Sequence, residues 1–290
     1  MASIQKFIDF SLCLIDKPPG PSSHEVSAYV KKILNAKKTG HSGTLDPQVS
    51  GLLLIGIGRG TRFLHYLSRL PKEYVGIMKF HKKLSEEKIR LLFSRFTGEI
   101  VQTPPKESAV RRIPRKRKVY YFVPLEIMNH RVLFMVKCEA GTYIRTLCSD
   151  MGATCGGAHL CELRRLSIGN LHVDNAYTLQ QLSDAAWLWR EKEDGNELKK
   201  ILRPPESFLN EFKKIHIKDT ALQNIASGAP LYALGIKETD EGITKGETVA
   251  LMHGGHLVAM AQAVRTSEEI RKLGRGIVAY PKFVVIKSGG

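Results

Sequence analysis

From Asp16 to Pro21 the chain reads Asp-Lys-Pro-Pro-Gly-Pro. Neither a helix nor a central strand continues through such a run, because each proline fixes φ and removes a backbone donor. The apolar residues 12–15 before it therefore read as a strand that stops there, followed by a rigid loop. A helix then starts afresh. Ser22-Ser23-His24-Glu25 has the Ser-x-x-Glu form of a capping box, and Val26, Tyr29, Val30, Ile33 and Leu34 recur at i, i+3, i+4, i+7, i+8.

Further along, residues 52–57 and 74–80 read as strands. Residues 85–96 read as a helix, with Glu86 and Glu87 in its first turn and Ile89, Leu92, Phe93 and Phe96 on one face. Two strand-like runs, 119–128 and 131–139, are separated by Asn129-His130, a hairpin signal. Residues 142–153 and 178–193 look helical. A hairpin among helices, without regular βαβ units, predicts an α+β fold built on a mixed sheet. Arg203-Pro204-Pro205-Glu206 is the best linker candidate, placing one domain at 1–205 and a second at 206–290. The second carries short strand-like runs at 214–217, 248–252, 257–263, 276–279 and 283–286, punctuated by glycines, the pattern of a small β barrel.

Charge narrows the function. The chain has 44 Lys+Arg against 28 Asp+Glu, a formal +16 over 290 residues. A polyanion, nucleic acid first, is the expected partner, because Lys and Arg on one face displace counterions from a phosphate backbone. The longest apolar run, 51–58, is far shorter than the roughly 20 residues a spanning helix needs. The opening MASIQKFIDF lacks a secretory pattern, so an intracellular chain without a membrane partner is expected. Five cysteines, Cys13, Cys138, Cys148, Cys155 and Cys161, are an odd number in a chain too large to need stapling, and are expected as reduced thiols. Cys148, Cys155, His159 and Cys161 match no paired-ligand spacing. They read as buried small residues, with no metal.

The densest local signal is Gly40-His41-Ser42-Gly43-Thr44-Leu45-Asp46-Pro47-Gln48-Val49-Ser50-Gly51, a tightly turned loop between a helix and a strand. By spacing alone it is as compatible with a plain Asp-Pro turn. The segment, however, resembles the catalytic loop of the TruB-type pseudouridine synthases, GHxGTLDPxxxG, position for position, and Lys17 to Ser23 precedes it as in that family. Lys72-Glu73-Tyr74, Cys138-Glu139-Ala140-Gly141-Thr142-Tyr143-Ile144-Arg145 and Leu160-Cys161-Glu162-Leu163-Arg164-Arg165 resemble three further motifs in order. Ser22 to Val26, Thr103-Pro104-Pro105, Ser108-Ala109-Val110 and Lys218 to Ala221 resemble the dyskerin branch, the catalytic subunits of H/ACA guide RNA particles. Residues 213–286 resemble its C-terminal PUA domain. The expected fold is thus a mixed-sheet synthase domain followed by a small PUA barrel.

That resemblance implies conversion of uridine to pseudouridine without cofactor: the N1–C1′ bond breaks, the uracil turns over, and C5 rejoins C1′. Glycoside hydrolysis uses two carboxylates because a leaving group is protonated and a water activated. Here the base is retained and water excluded, so one carboxylate suffices, either as a nucleophile on the sugar or by stabilising and deprotonating a sugar intermediate. Asp46 is that candidate. A carboxylate in a water-poor pocket needs a cation to stay ionised, and Arg145 fits. Tyr74 offers a ring for a flipped uracil and a hydroxyl for removing the C5 proton. Tyr143 and Leu163 would line the pocket, His41 would help to extrude the base or touch a phosphate, and Lys17 would buttress the loop.

Arg111, Arg112, Arg115, Lys116, Arg117 and Lys118 put six cations into eight residues. The resemblance places a mobile thumb-like loop here, and RNA backbone contact is expected. Guide RNA, substrate RNA and small H/ACA core proteins are the implied partners, and nucleus or nucleolus the implied location, cytoplasm for an archaeal source. Two rivals stand beside this reading: a stand-alone synthase of the tRNA T-loop pseudouridine, and a non-catalytic RNA-binding scaffold. The intact Asp46, Tyr74 and Arg145 set opposes the scaffold.

Overall fold

The computed structural model describes residues 2–105 and 110–285, so Ser108 and Ala109 of the branch-like segment, and Ile286, lie outside the described residues. The chain divides into two compact units, Met1–Leu202 and Arg203–Gly290.

The strands of the first unit are β1 (Phe10–Lys17), β2 (Thr39–Ser42), β3 (Ser50–Gly58), β4 (Lys72–Phe80), β5 (Gly98–Gln102), β6 (Arg115–Met128), β7 (Arg131–Cys138), β8 (Ala158–Ile168) and β9 (Leu171–His172). Its α-helices are α1 (Ala2–Asp9), α2 (Ser23–Leu34), α3 (Gly60–Leu67), α4 (Glu86–Arg95), α5 (Ile144–Ala153), α6 (Leu179–Lys192) and α7 (Asn196–Ile201). One mixed sheet runs β1-β3-β8-β4-β7-β6-β5, with β2 also on β3 and β9 on β8. The β3–β8 pairing is parallel and short, Ser50 with Arg164 and Gly51 with Arg165.

Local chemistry explains the boundaries. Both halves of the Ser22/Glu25 capping box form, and Ser85 caps α4. Asn129 takes φ 54° in the turn that joins β6 to β7, a backbone conformation asparagine tolerates better than most residues. The apolar run of β3 is buried on both faces because Leu53, Ile55 and Ile57 join α2, α6 and α7 in one core, while α3 packs on β3 as well. A second core gathers Phe93 of α4, Leu147 and Met151 of α5, and Phe122, Phe134 and Val136 of the sheet. Burying each such side chain contributes roughly 1.5–3 kcal/mol.

The structure revises three sequence expectations in this unit and places one motif that had no element assigned to it. Residues 40–42 are not loop: as part of β2 they pair with β3, because the backbone donors beside a buried strand find partners there. The motif 160–165 lies on β8, in the centre of the sheet, although its charged residues break an apolar pattern. Residues 115–118 are the start of β6, paired with β5, rather than a loop. Cys13, Cys138 and Cys148 are buried and their thiols are pushed up by burial, but of the group read as buried, Cys155 is half-buried and His159 and Cys161 on β8 are exposed.

The second unit holds β10 (Lys213–Ile217), α8 (Asp219–Ala226), β11 (Leu231–Tyr232), β12 (Ile236–Thr239), β13 (Thr248–His253), β14 (His256–Ala263), α9 (Ser267–Lys272) and β15 (Ile277–Val284). Its barrel-like sheet runs β11-β15-β14-β13-β10-β12 around a core including Ile215, Val249, Leu251, Val258 and Val278. The two runs expected at 276–279 and 283–286 are one strand. Pro281 is accommodated where the β14–β15 register shifts, between Met260 and Ala261.

Candidate active site

Asp46 sits on the loop between β2 and β3, and the sequence around it supplies an anchor at nearly every step. Ser23 Oγ, at the start of α2, donates to Leu45 O (2.9 Å) and accepts from Leu45 N–H (2.8 Å). Lys17 Nζ donates to Pro18 O (2.8 Å) and Pro47 O (2.9 Å), and Gly20 N–H donates to Pro47 O (2.9 Å). The proline-rich turn and the Asp46 loop are thus tied through one buried ammonium, that of Lys17. From below, Arg165 Nη2 donates to Gly43 O (2.8 Å) and Nε to Leu52 O (2.7 Å). That reach depends on Gly51, at φ +103°. A Cβ there would lie 2.2 Å from Arg165 O, so only glycine lets β8 come this close.

Arg145 lies in the first turn of α5, and its Nη2 donates to Asp46 Oδ2 at 2.5 Å. The preceding residue but one, Tyr143, is held by a buried amide: Gln102 Oε1 accepts from Tyr143 N–H (3.0 Å) and Gln102 Nε2 donates to Tyr143 O (3.1 Å). This pair fixes where α5 starts, and with it where the guanidinium of Arg145 reaches.

A cavity of about 500 Å³ opens beside the ion pair, and Asp46, Tyr74, Tyr143, Arg145, Leu163, Lys72 and Arg165 all line it. The residues expected from four separate motifs therefore meet. Tyr74 is nearly buried; burial pushes its hydroxyl up, opposed by the Arg165 guanidinium beside it. His41 is not in the cavity wall. It packs edge-on to His24, with its Nε2 3.4 Å from Thr44 Oγ1, on the flank of the loop, and burial lowers its pKa.

The pocket is less dry than the sequence suggested. Asp46 and Arg145 keep 55 % and 59 % of their side chains in solvent, because the loop tip and the first turn of α5 meet at the cavity mouth. Burial falls instead on two residues that sequence reasoning did not assign to the site, Lys72 and Arg165, 5 % and 1 % exposed. Both belong to motifs of the family resemblance. Their adjacency to Tyr74 and Leu163 was the available signal.

The six cations divide. Lys116 pairs with Glu99 (2.9 Å), and Arg117 donates to Gly141 O (3.2 Å) and lies 4.0 Å from Glu139. Arg112 donates to Pro104 O (3.2 Å), and Lys118 lies 5.5 Å from the Tyr120 ring centre. Arg115 and Arg117 line a small cavity of about 80 Å³ together with Tyr143 and Gly141, while Arg111 is exposed.

Comparison with known proteins covers nearly all of the chain. Residues 31–144 match the N-terminal domain of the TruB family pseudouridylate synthases, residues 145–210 the tRNA pseudouridylate synthase B C-terminal domain, and residues 213–285 the PUA domain. A probable tRNA pseudouridine synthase B of Pyrobaculum aerophilum is 42 % identical over 289 residues, covering 99 % of this chain and 87 % of the relative. The corresponding protein of Methanosarcina acetivorans is 43 % identical, covering 99 % and 85 %. Among solved structures, a chain of a Cbf5-Nop10-Gar1 complex superposes with a TM-score of 0.93 at 42 % identity, covering 98 % of this chain and 88 % of that one. A chain of an H/ACA RNP bound to a substrate RNA containing 2'-deoxyuridine gives 0.91 at 40 % identity, with the same two coverages. The chain belongs to the TruB family of pseudouridine synthases, in its dyskerin/Cbf5 branch, with a PUA domain at its C-terminal end.

Proposed function

We propose that this pseudouridine synthase works as the catalytic subunit of an H/ACA guide RNA particle, isomerising a uridine that the guide selects. The observation that carries this is the likeness to chains solved within H/ACA assemblies, which runs through both units and 98 % of the sequence. Guide RNA, substrate RNA and small core proteins of the kind named in those complexes are the partners assigned to it. The PUA unit anchors the guide.

In this reading Asp46 is the single carboxylate acting on the sugar. Arg145 aims it and answers its charge through the charge-assisted hydrogen bond to Asp46 Oδ2. The Tyr74 ring packs on the flipped base, its hydroxyl serves the removal of the C5 proton, and Tyr143 and Leu163 wall the base off from water. Because the mouth is open in the free protein, the RNA itself completes the exclusion of water when it covers Asp46 and Arg145. His41 beside the loop and the cations of residues 111–118 hold the RNA backbone.

A tRNA substrate is the second reading, favoured by the names of the relatives from Pyrobaculum and Methanosarcina. Release of tritium from C5-labelled uridine separates the two. The expected result is turnover of a guided RNA only with guide and core proteins present. Guide-free turnover of a tRNA transcript, with no stimulation by guide, would replace the particle reading with the tRNA one.

A further inference from the structure

Among the described residues, the charged side chains that are buried are Lys17, Lys72 and Arg165, and all three are cations. They cluster around one loop. Each is satisfied by main-chain carbonyls: Lys17 by Pro18 and Pro47, Lys72 by Ser68 and Leu70, Arg165 by Gly43 and Leu52. Among the described residues no carboxylate lies within ion-pair distance of any of them. Burying a cation without a counter-charge is costly, so an anion brought beside such cations is favoured.

Lys72 and Arg165 line the cavity; Lys17 lies beneath the loop. The carboxylate of Asp46 is already matched by Arg145, which leaves the charge of Lys72 and Arg165 unanswered in the free protein. An anion does arise in this cavity during the reaction. When N1–C1′ breaks, the bonding pair goes to N1 and is shared with O2 and O4 of the uracil ring. The turned ring returns that pair from C5 to C1′; the C5 proton then leaves to a base as the C5–C6 double bond reforms, and a proton taken up at N1 completes the neutral pseudouridine. No proton needs to pass to the ring in between if its charge is held electrostatically.

We infer that Lys72 and Arg165 form a cationic floor that stabilises the uracil anion between cleavage of N1–C1′ and formation of C5–C1′. The lysine keeps its charge at neutral pH, since burial and the neighbouring Arg165 lower it only to about 8. Around it stand Tyr74 on its own strand and Cys138, its cross-strand partner on β7, whose hydroxyl and thiol are both pushed upward, while Glu139 lines the same cavity beyond ion-pair distance. The assignment rests on the isomerisation chemistry proposed above and adds to it the group that takes the charge of the leaving base.

Lys72→Met and Lys72→Gln remove the charge without touching the Arg165 bonds that hold the loop. The test is single-turnover consumption of the target nucleoside in substrate RNA carrying either uridine or 5-fluorouridine. Fluorine at C5 makes the departing ring a weaker base, so its anion needs less help. With uridine the variants should be slower by roughly 10²-fold, the range for losing one preorganised charge-stabilising group. With 5-fluorouridine the loss should shrink to about tenfold or less. RNA affinity should stay within about twofold. The ratio of the two rates is read within one preparation, so a partly unfolded variant does not distort it. Equal losses on the two substrates would overturn the inference, as would a loss confined to RNA affinity, which would make the floor a phosphate contact. If Asp46→Asn stays active, the reading of the whole site falls; if it is inactive while the two Lys72 losses are equal, only the cationic floor falls.

Discussion

The mouth and the floor of the cavity carry charge in opposite ways. At the mouth, Asp46 and Arg145 form a close ion pair with more than half of each side chain in water. At the floor and beneath the loop, Lys17, Lys72 and Arg165 are out of solvent, donate to main-chain carbonyls and, among the described residues, have no carboxylate within ion-pair distance. An exposed pair contributes about 0–1 kcal/mol to folding, so the mouth costs and yields little until a substrate covers it and lowers the local dielectric. The floor is different: its charge is desolvated at folding, before any substrate arrives. Rate and stability should therefore separate between the two regions.

Arg145→Met offers the strongest way to break this contrast. Turnover should fall by roughly 10²–10³-fold, while the melting temperature moves by no more than about 2 °C, because the pair is solvated in the free protein. A folded Arg145→Met protein with wild-type turnover, or one that is grossly destabilised, contradicts the assignment of the mouth.

Lys72→Met sharpens the other side through pH. Burial and Arg165 lower Lys72 to about 8, so its cation is present below that pH and is lost above it. The wild-type rate should exceed that of Lys72→Met by roughly 10²-fold near pH 7, and this ratio should shrink as pH rises through 8. Rates taken from pH 6.5 to 9.5 decide it; a constant ratio removes Lys72 from the charge balance.

A smaller effect is expected from the basic segment. Changing Arg111, Arg112, Arg115 and Lys118 together to Gln should weaken RNA binding and reduce the log–log salt slope by roughly 0.7–0.9 for each phosphate that is no longer neutralised. Lys116→Gln alone should do least, since Glu99 already holds that ammonium. Binding titrations at several salt concentrations test this, and an unchanged slope would make the segment a solvated face.

Stability should show the smallest signature. The folded-state pKa of Lys72 lies below its unfolded value, near 10.4, so between about pH 8 and 10.4 the unfolded chain binds more protons. Wild-type stability should rise with pH in that window relative to Lys72→Met. Urea midpoints at pH 7.5 and 10 measure it, and a difference of opposite sign would contradict the burial of a charged lysine.

The contrast also explains what could be read from the sequence. Helix starts were legible because their signals are local: Ser22 with Glu25, and Ser85 before an apolar face, act through the backbone next to them. The hairpin at Asn129 was legible for the same reason. The central strand β8 was not, because Glu162, Arg164 and Arg165 interrupt its apolar pattern. Two of these serve tertiary partners far away in sequence: Arg164 forms two hydrogen bonds with Asp16, and Arg165 holds the Asp46 loop. Gln102 was missed likewise, since its work on Tyr143 spans 41 positions. The motifs located Asp46, Tyr74, Arg145 and Leu163 around one cavity, but not which charges would be wet. Solvent exposure of Asp46 depends on where α5 begins, and that is set by tertiary contacts.

The most direct measurement is single-turnover isomerisation by Asp46→Asn at saturating guided RNA, with RNA affinity determined on the same protein. Asn keeps the size and most hydrogen bonding of Asp46 while removing its charge and nucleophilicity. If Asp46 carries the chemistry and the basic surface the binding, pseudouridine formation is abolished while affinity stays within a few-fold. Turnover near the wild-type rate would contradict the assignment at its centre.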